Sequence, residues 1–175
     1  MKLLGVALLA AALLGTLVWA KETLWGDGHP QTCFFELLSS LDNKFCRGDL
    51  EVVYPELGDV GCTYIPACRQ YRHRLSREWS SPKVRYPQAD KGADLRAGNP
   101  RGHVLTEYVR PAPPSRSGYH RYQFLLYEQP AHEAVALGAE ELVSPGAWSM
   151  ERFVERFRLG SPVASTQFLT KHDGD

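Results

Sequence analysis

Residues 113–129 read Pro113-Pro114-Ser115-Arg116-Ser117-Gly118-Tyr119-His120-Arg121-Tyr122-Gln123-Phe124-Leu125-Leu126-Tyr127-Glu128-Gln129. The prolines, serines and glycine at its start mark a turn. The aromatic-rich run that follows marks a β-strand, and its apolar end predicts an interior position in the sheet. Successive strand side chains point to opposite faces. His120, Tyr122, Phe124 and Leu126 therefore share one face, and Arg121, Gln123, Leu125 and Tyr127 the other. The first face sets two polar rings at the strand mouth above two apolar residues. That pattern suits either the rim and wall of a small polar pocket or the satisfied rim of a core.

Upstream, Val104 to Val109 has extended character, and Pro87 to Arg101 is a polar, Gly- and Pro-containing connection with almost nothing apolar. Such a long polar connection is unusual inside a small β domain. Lys83 to Tyr86, Leu50 to Tyr54 and Thr63 to Ile65 read as further strands bounded by Pro and Gly. Downstream, Ser149 is a plausible N-cap for a helix whose buried face is Met150, Phe153, Val154 and Phe157, with Gly160 at its C-cap. Val163 to Leu169 is a last strand with polar residues in its middle. Near the start of the domain, Phe34, Leu37, Leu38 and Leu41 recur at i, i+3, i+4 and i+7, which predicts a helix capped by Thr32.

The chain has 175 residues, 23% charged and 43% hydrophobic, with a formal net charge of zero. This suits one globular domain and gives no basic footprint for nucleic acid. Lys2, the apolar run Leu3 to Trp19 and the small residues Val18 and Ala20 predict a signal peptide over 1–20, with a soluble domain over 21–170 and a polar tail over 171–175. Four cysteines, Cys33, Cys46, Cys62 and Cys68, then enter an oxidising compartment, which favours two disulfides. Short loops favour Cys33–Cys46 with Cys62–Cys68. Without a Cys-x-x-Cys or a neighbouring ligand-spaced His, no metal site is expected, and no cofactor is implied. Arg69, Arg72, His73, Arg74, Arg77, Lys83 and Arg85 form the one basic run. It reads as a solvated face over Tyr71, Leu75 and Trp79, the alternative being a surface for anionic headgroups or an acidic protein.

The string Gly118-Tyr-His-Arg-Tyr-Gln-Phe124 after a Pro-Pro turn resembles a signature of the phosphatidylethanolamine-binding protein family, which includes the Raf kinase inhibitor proteins. Leu50-Glu-Val-Val-Tyr-Pro-Glu-Leu-Gly58, the pair Cys62 and Cys68, Lys91-Gly-Ala-Asp-Leu95 and Phe153 to Phe168 extend the resemblance over most of the chain, toward a secreted member. The resemblance implies a mainly β fold, with antiparallel sheets and short flanking helices. It also implies a small anion pocket to which Pro113 and Pro114 give wall and His120 and Tyr122 give donors. A neutral His and a Tyr hydroxyl each have a hydrogen to offer a phosphate oxygen.

The same resemblance exposes a deficit. The family's Asp-Pro-Asp-x-Pro-Ser-Arg loop and a second pocket histidine before a Trp are missing, and no Asp-Pro dipeptide occurs. The pattern jumps near 86–91, as though about 30 residues, or one or two strands of typical length, were absent. The central strand region is therefore expected to be shortened and the pocket weakened. The function expected is a non-enzymatic, monomeric protein of the secretory or lysosomal lumen. It would bind phosphatidylethanolamine headgroups or another small anion and modulate signalling through protein partners. A carboxypeptidase inhibitor of the same fold is the alternative. Ser115 and Ser117 flank His120, but proximity in sequence gives no triad geometry.

Overall fold

The computed structural model describes residues 33–89, 94–98, 102–131, 134–139 and 149–175, all within the unit Thr32–Asp175. The signal peptide expected over 1–20, the Thr32 cap and Lys91 to Ala93 lie outside the described residues.

Two sheets form the frame. The first has strand order β1-β4-β7-β6, from Glu36–Leu37, Thr63–Tyr64, Ala164–Thr170 and His120–Leu126. The second has order β3-β2-β5, from Gly58–Asp59, Glu51–Tyr54 and Lys83–Arg85. All ladders are antiparallel except β4 with β7, which is parallel. Helices α1 (Ser40–Asn43), α2 (Tyr71–Arg77) and α3 (Met150–Arg156) are short. The fold is thus mainly β with few short helices, and the strands expected at 50–54, 63–65, 83–86 and 163–169 are all present.

The centre of the first sheet is β7, buried at every position. Its polar middle survives burial because each group is bonded: Ser165 Oγ donates to the Phe45 carbonyl at 2.6 Å, and Gln167 Nε2 to the Asp42 carbonyl at 2.8 Å. Phe168 carries the packing, with Tyr122 stacked on it at 5.4 Å between ring centres and Tyr54 edge-on at 6.0 Å. Val52, Ile65, Tyr71, Leu75 and Trp79 complete this core. Where β7 begins, Gly48 takes φ +76°, and a Cβ there would sit 2.8 Å from that of Ala164. Glycine is what lets Arg47 exchange backbone hydrogen bonds with Ser165.

Several expectations need correction. β6 is an outer strand: among the described residues it pairs only with β7. Its apolar end is covered from one face, through Phe124 against Phe168, rather than by a second neighbour. The segment 34–41 is not one helix, because Phe34, Leu37 and Leu41 are 77%, 75% and 74% exposed. Only Leu38 is buried there, and pairing with β4 holds Glu36–Leu37 extended until Ser39 caps α1. The disulfides are Cys33–Cys68 and Cys46–Cys62, with Cα separations of 5.9 and 6.3 Å. The β1–β4 register, Glu36 opposite Tyr64, carries Cys33 toward Cys68. β7 holds Arg47 and Cys62 close together, through Ser165 and the Gln167 carbonyl. Val104 to Val109 is in no ladder, and Val104 and Val109 are exposed. Finally, α3 stops at Arg156, and Arg158 at φ +49° turns the chain before Gly160 is reached.

Candidate functional site

The turn at 113–118 and the start of β6 bring the expected residues to one end of the first sheet. Pro113 is buried and Pro114 exposed. Ser117 Oγ donates to the Pro114 carbonyl at 2.7 Å and lies 2.6 Å from His120 Nε2. A hydroxyl has one hydrogen. With that hydrogen on the carbonyl, His120 Nε2 carries its own proton and donates to Ser117. The relay fixes both the ring and the turn.

Tyr122, two residues along the same face, brings its hydroxyl to the Ala112 backbone just before the turn. Burial pushes that hydroxyl's pKa up, and a backbone hydrogen bond with Ala112 partly opposes the shift. Nearby, Tyr54 and Tyr108 share a 2.6 Å hydrogen bond between hydroxyls. Both are raised in pKa, Tyr54 by burial first and then by the bond to Tyr108. Arg110 Nε donates to the Trp79 carbonyl at 2.6 Å. The segment expected to be extended is therefore held by side-chain hydrogen bonds in place of a strand ladder. Beside it a cleft of about 550 Å³ opens between Ser76, Ser80 and Ser81 on one side and Glu107, Tyr108 and Arg110 on the other.

The basic run divides by environment. Arg74 makes a two-pronged bond to Glu56, with both N–O distances at 2.6 Å, and adds Glu78 at 3.3 Å. Tyr71, Leu75 and Trp79 pack beneath, as expected for a solvated face. Arg72 is the exception, only 7% exposed. Its Nε donates to the Ile65 carbonyl at 3.1 Å and its Nη2 to the Tyr119 hydroxyl at 3.3 Å. A second cleft, about 410 Å³, runs past Gln70, Arg72, His73 and Asp173. There His73 Nδ1 meets Asp173 Oδ2 at 2.6 Å, and this bond is the main reason the Asp173 carboxyl titrates below its ordinary value of 3.8. Among the described residues no cluster of His, Cys, Asp and Glu is arranged to hold a metal ion.

A family model described as phosphatidylethanolamine-binding protein matches residues 69–169. The chain belongs to that family. The match begins just before α2 and runs through the turn, β6 and β7, so it takes in Arg72, Pro113, Pro114, Ser117, His120 and Tyr122. It is a family of phospholipid- and small-ligand-binding proteins. The four cysteines and the 171–175 segment fall outside the match. Arg72 and Ser117 were not singled out in sequence for the site. Ser117 carried a signal, three residues ahead of His120 across a glycine, whereas Arg72 looked like every other arginine in its run.

Proposed function

We propose that this chain is a non-enzymatic binding protein of the secretory or lysosomal lumen that takes the phosphate of a phosphatidylethanolamine headgroup, or another small anion, at the 113–122 end of β6. The observation that carries the reading is the Pro114–Ser117–His120 relay. It holds an imidazole at the strand mouth whose Nε2–H is spent on Ser117, so the ring meets a phosphate oxygen as the imidazolium, through Nδ1–H, within the matched region that also includes Arg72. The hydroxyl of Ser117 is committed to a carbonyl, which favours binding over nucleophilic attack. Two disulfides suit an oxidising lumen, and no described helix is long and apolar enough to cross a membrane. Weak binding is the expectation from the missing family loop, and a β6 that pairs on one side only among the described residues supports it. Any role in signalling then works through occupancy of partners by a monomer.

The test is calorimetric titration of the purified, oxidised chain with phosphorylethanolamine. The expected dissociation constant is about 1 mM, the affinity of a few charge-assisted hydrogen bonds. His120→Ala is expected to weaken it about tenfold. Equal affinity of the variant and the parent chain would sink the assignment of His120.

A further inference from the structure

The turn that carries the relay already holds an anion. Ser115 Oγ donates to Asp175 Oδ1 at 3.3 Å, and the Arg116 backbone N–H donates to Asp175 Oδ2 at 3.0 Å. Each carboxylate oxygen thus has its own donor. Arg116 adopts φ +61°, a conformation that for a non-glycine residue requires support from its surroundings. Left-handed turn residues aim backbone amides into anion-binding concavities. Asp175 is exposed as a residue, but its side chain is only 17% exposed, so the carboxylate itself is largely withdrawn from water.

A second observation points to the same place. Arg72 is buried, and among the described residues no side-chain carboxylate forms an ion pair with it. Its hydrogen bonds go to the Ile65 carbonyl, the Tyr119 hydroxyl and, at 3.4 Å, the main-chain oxygen of Asp175. The Asp175 main chain thus reaches Arg72 while its side chain reaches the turn. Lys171 lies 5.8 Å and Arg72 5.7 Å from the centre of the Tyr119 ring, so two cations converge beside the turn.

We propose that Ser115 Oγ and the Arg116 amide form an oxyanion seat backed by Arg72, and that Asp175 is its tethered occupant, competing with an incoming phosphate. This rests on the anion-binding reading above and adds the regulation of that site. The tether is built. β7 ends at Thr170, opposite His120, and the chain is then pinned by Asp173 to His73 and by the Asp175 N–H to the His172 carbonyl at 3.1 Å. A carboxylate and a phosphate monoester both present paired, negatively charged oxygens to the same donors, so one seat serves either. Occupancy by Asp175 multiplies the intrinsic affinity by the fraction of seats left open.

The experiment is titration of the full chain, Asp175→Ala, Asp175→Asn and the double variant Asp175→Ala with Ser115→Ala. Inorganic phosphate and phosphorylethanolamine are the two probes, and the Arg116 amide resonance is followed by NMR. With about one seat in ten open in the parent chain, removal of the carboxylate is expected to tighten binding about tenfold. The asparagine variant controls for lost packing and is expected to behave like the alanine variant. The added Ser115→Ala change is expected to reverse the gain. Tightening toward both probes supports a seat for free phosphate, and tightening toward phosphorylethanolamine alone supports a headgroup seat. Unchanged affinity in both Asp175 variants, with the parent chain binding measurably, overturns the tether and leaves the proposed function standing. No binding of either probe by any variant overturns both.

Discussion

The Tyr54–Tyr108 pair sets up an asymmetry that a simple contact count would miss. The two hydroxyls share one hydrogen bond at 2.6 Å, but Tyr54 is 1% exposed and Tyr108 38% exposed. Tyr54→Phe removes the buried partner, and the Tyr108 hydroxyl is near enough to the surface to regain a water. The expected loss is about 0.5–1.5 kcal/mol, the net worth of one hydrogen bond. Tyr108→Phe leaves the Tyr54 hydroxyl between Trp79 and Phe168 with neither partner nor water. An unsatisfied buried polar group costs about 1–3 kcal/mol. The double variant removes both polar groups and is expected to be no less stable than Tyr108→Phe alone. Urea unfolding of the four proteins, monitored by tryptophan fluorescence, reads all of this, since Trp79 stacks on Tyr54. If Tyr54→Phe proved the more damaging single change, the reasoning from burial would be wrong. The segment carrying Tyr108 would then be anchored by something else.

Further measurements address the staples and the tail. Peptide mapping of the non-reduced protein is expected to return Cys33–Cys68 and Cys46–Cys62, and replacing Cys46 and Cys62 by Ser should cost about 3 kcal/mol for a loop of this length. The Asp173 carboxyl titrates below its ordinary value of 3.8 because His73 bonds to it, so its folded pKa is depressed. The stabilisation is therefore full above about pH 4 and is lost as pH falls through the folded value. The difference in melting temperature between the parent chain and Asp173→Asn should be larger at about pH 5 than at lower pH and vanish in strong acid. A difference that persisted at about pH 2, where carboxylates are largely protonated, would refute the assignment.

What the sequence revealed follows the strength of each local signal. β2, β5 and β6 announce themselves because alternation and flanking Pro or Gly agree with burial, β7 does so by its apolar ends although it is buried throughout, and Ser149 accepts from the Arg152 N–H as a cap should. Phe34, Leu37 and Leu41 misled because helical spacing implies burial only if something lies over that face, and here they stay exposed. The disulfides misled because loop entropy grows slowly, so the shorter loops were favoured by only about 1 kcal/mol each. The paired strands that set the Cα distances outweigh that. The place of β6 at the margin of its sheet depends on which chain segments are present beside it, which no property of residues 120–126 records. In the site, Pro114 and His120 come together through Ser117, while the Tyr122 hydroxyl oxygen accepts from the Ala112 backbone. Asp175 was read as part of a polar tail because a pairing across 59 or 60 positions leaves no local trace.

β7 has one more consequence, for the order of events during biosynthesis. The strand at the centre of the first sheet is also the one translated after all its neighbours, and its parallel partner β4 lies about a hundred residues upstream. Until residues 164–170 leave the ribosome, the β1–β4 pair and β6 lack the strand that joins them. Cys46 and Cys62 likewise lack the template that brings them together. Nascent chains thus carry all four cysteines, open to wrong partners, through the synthesis of about a hundred further residues before the strand that templates the Cys46–Cys62 pair exists.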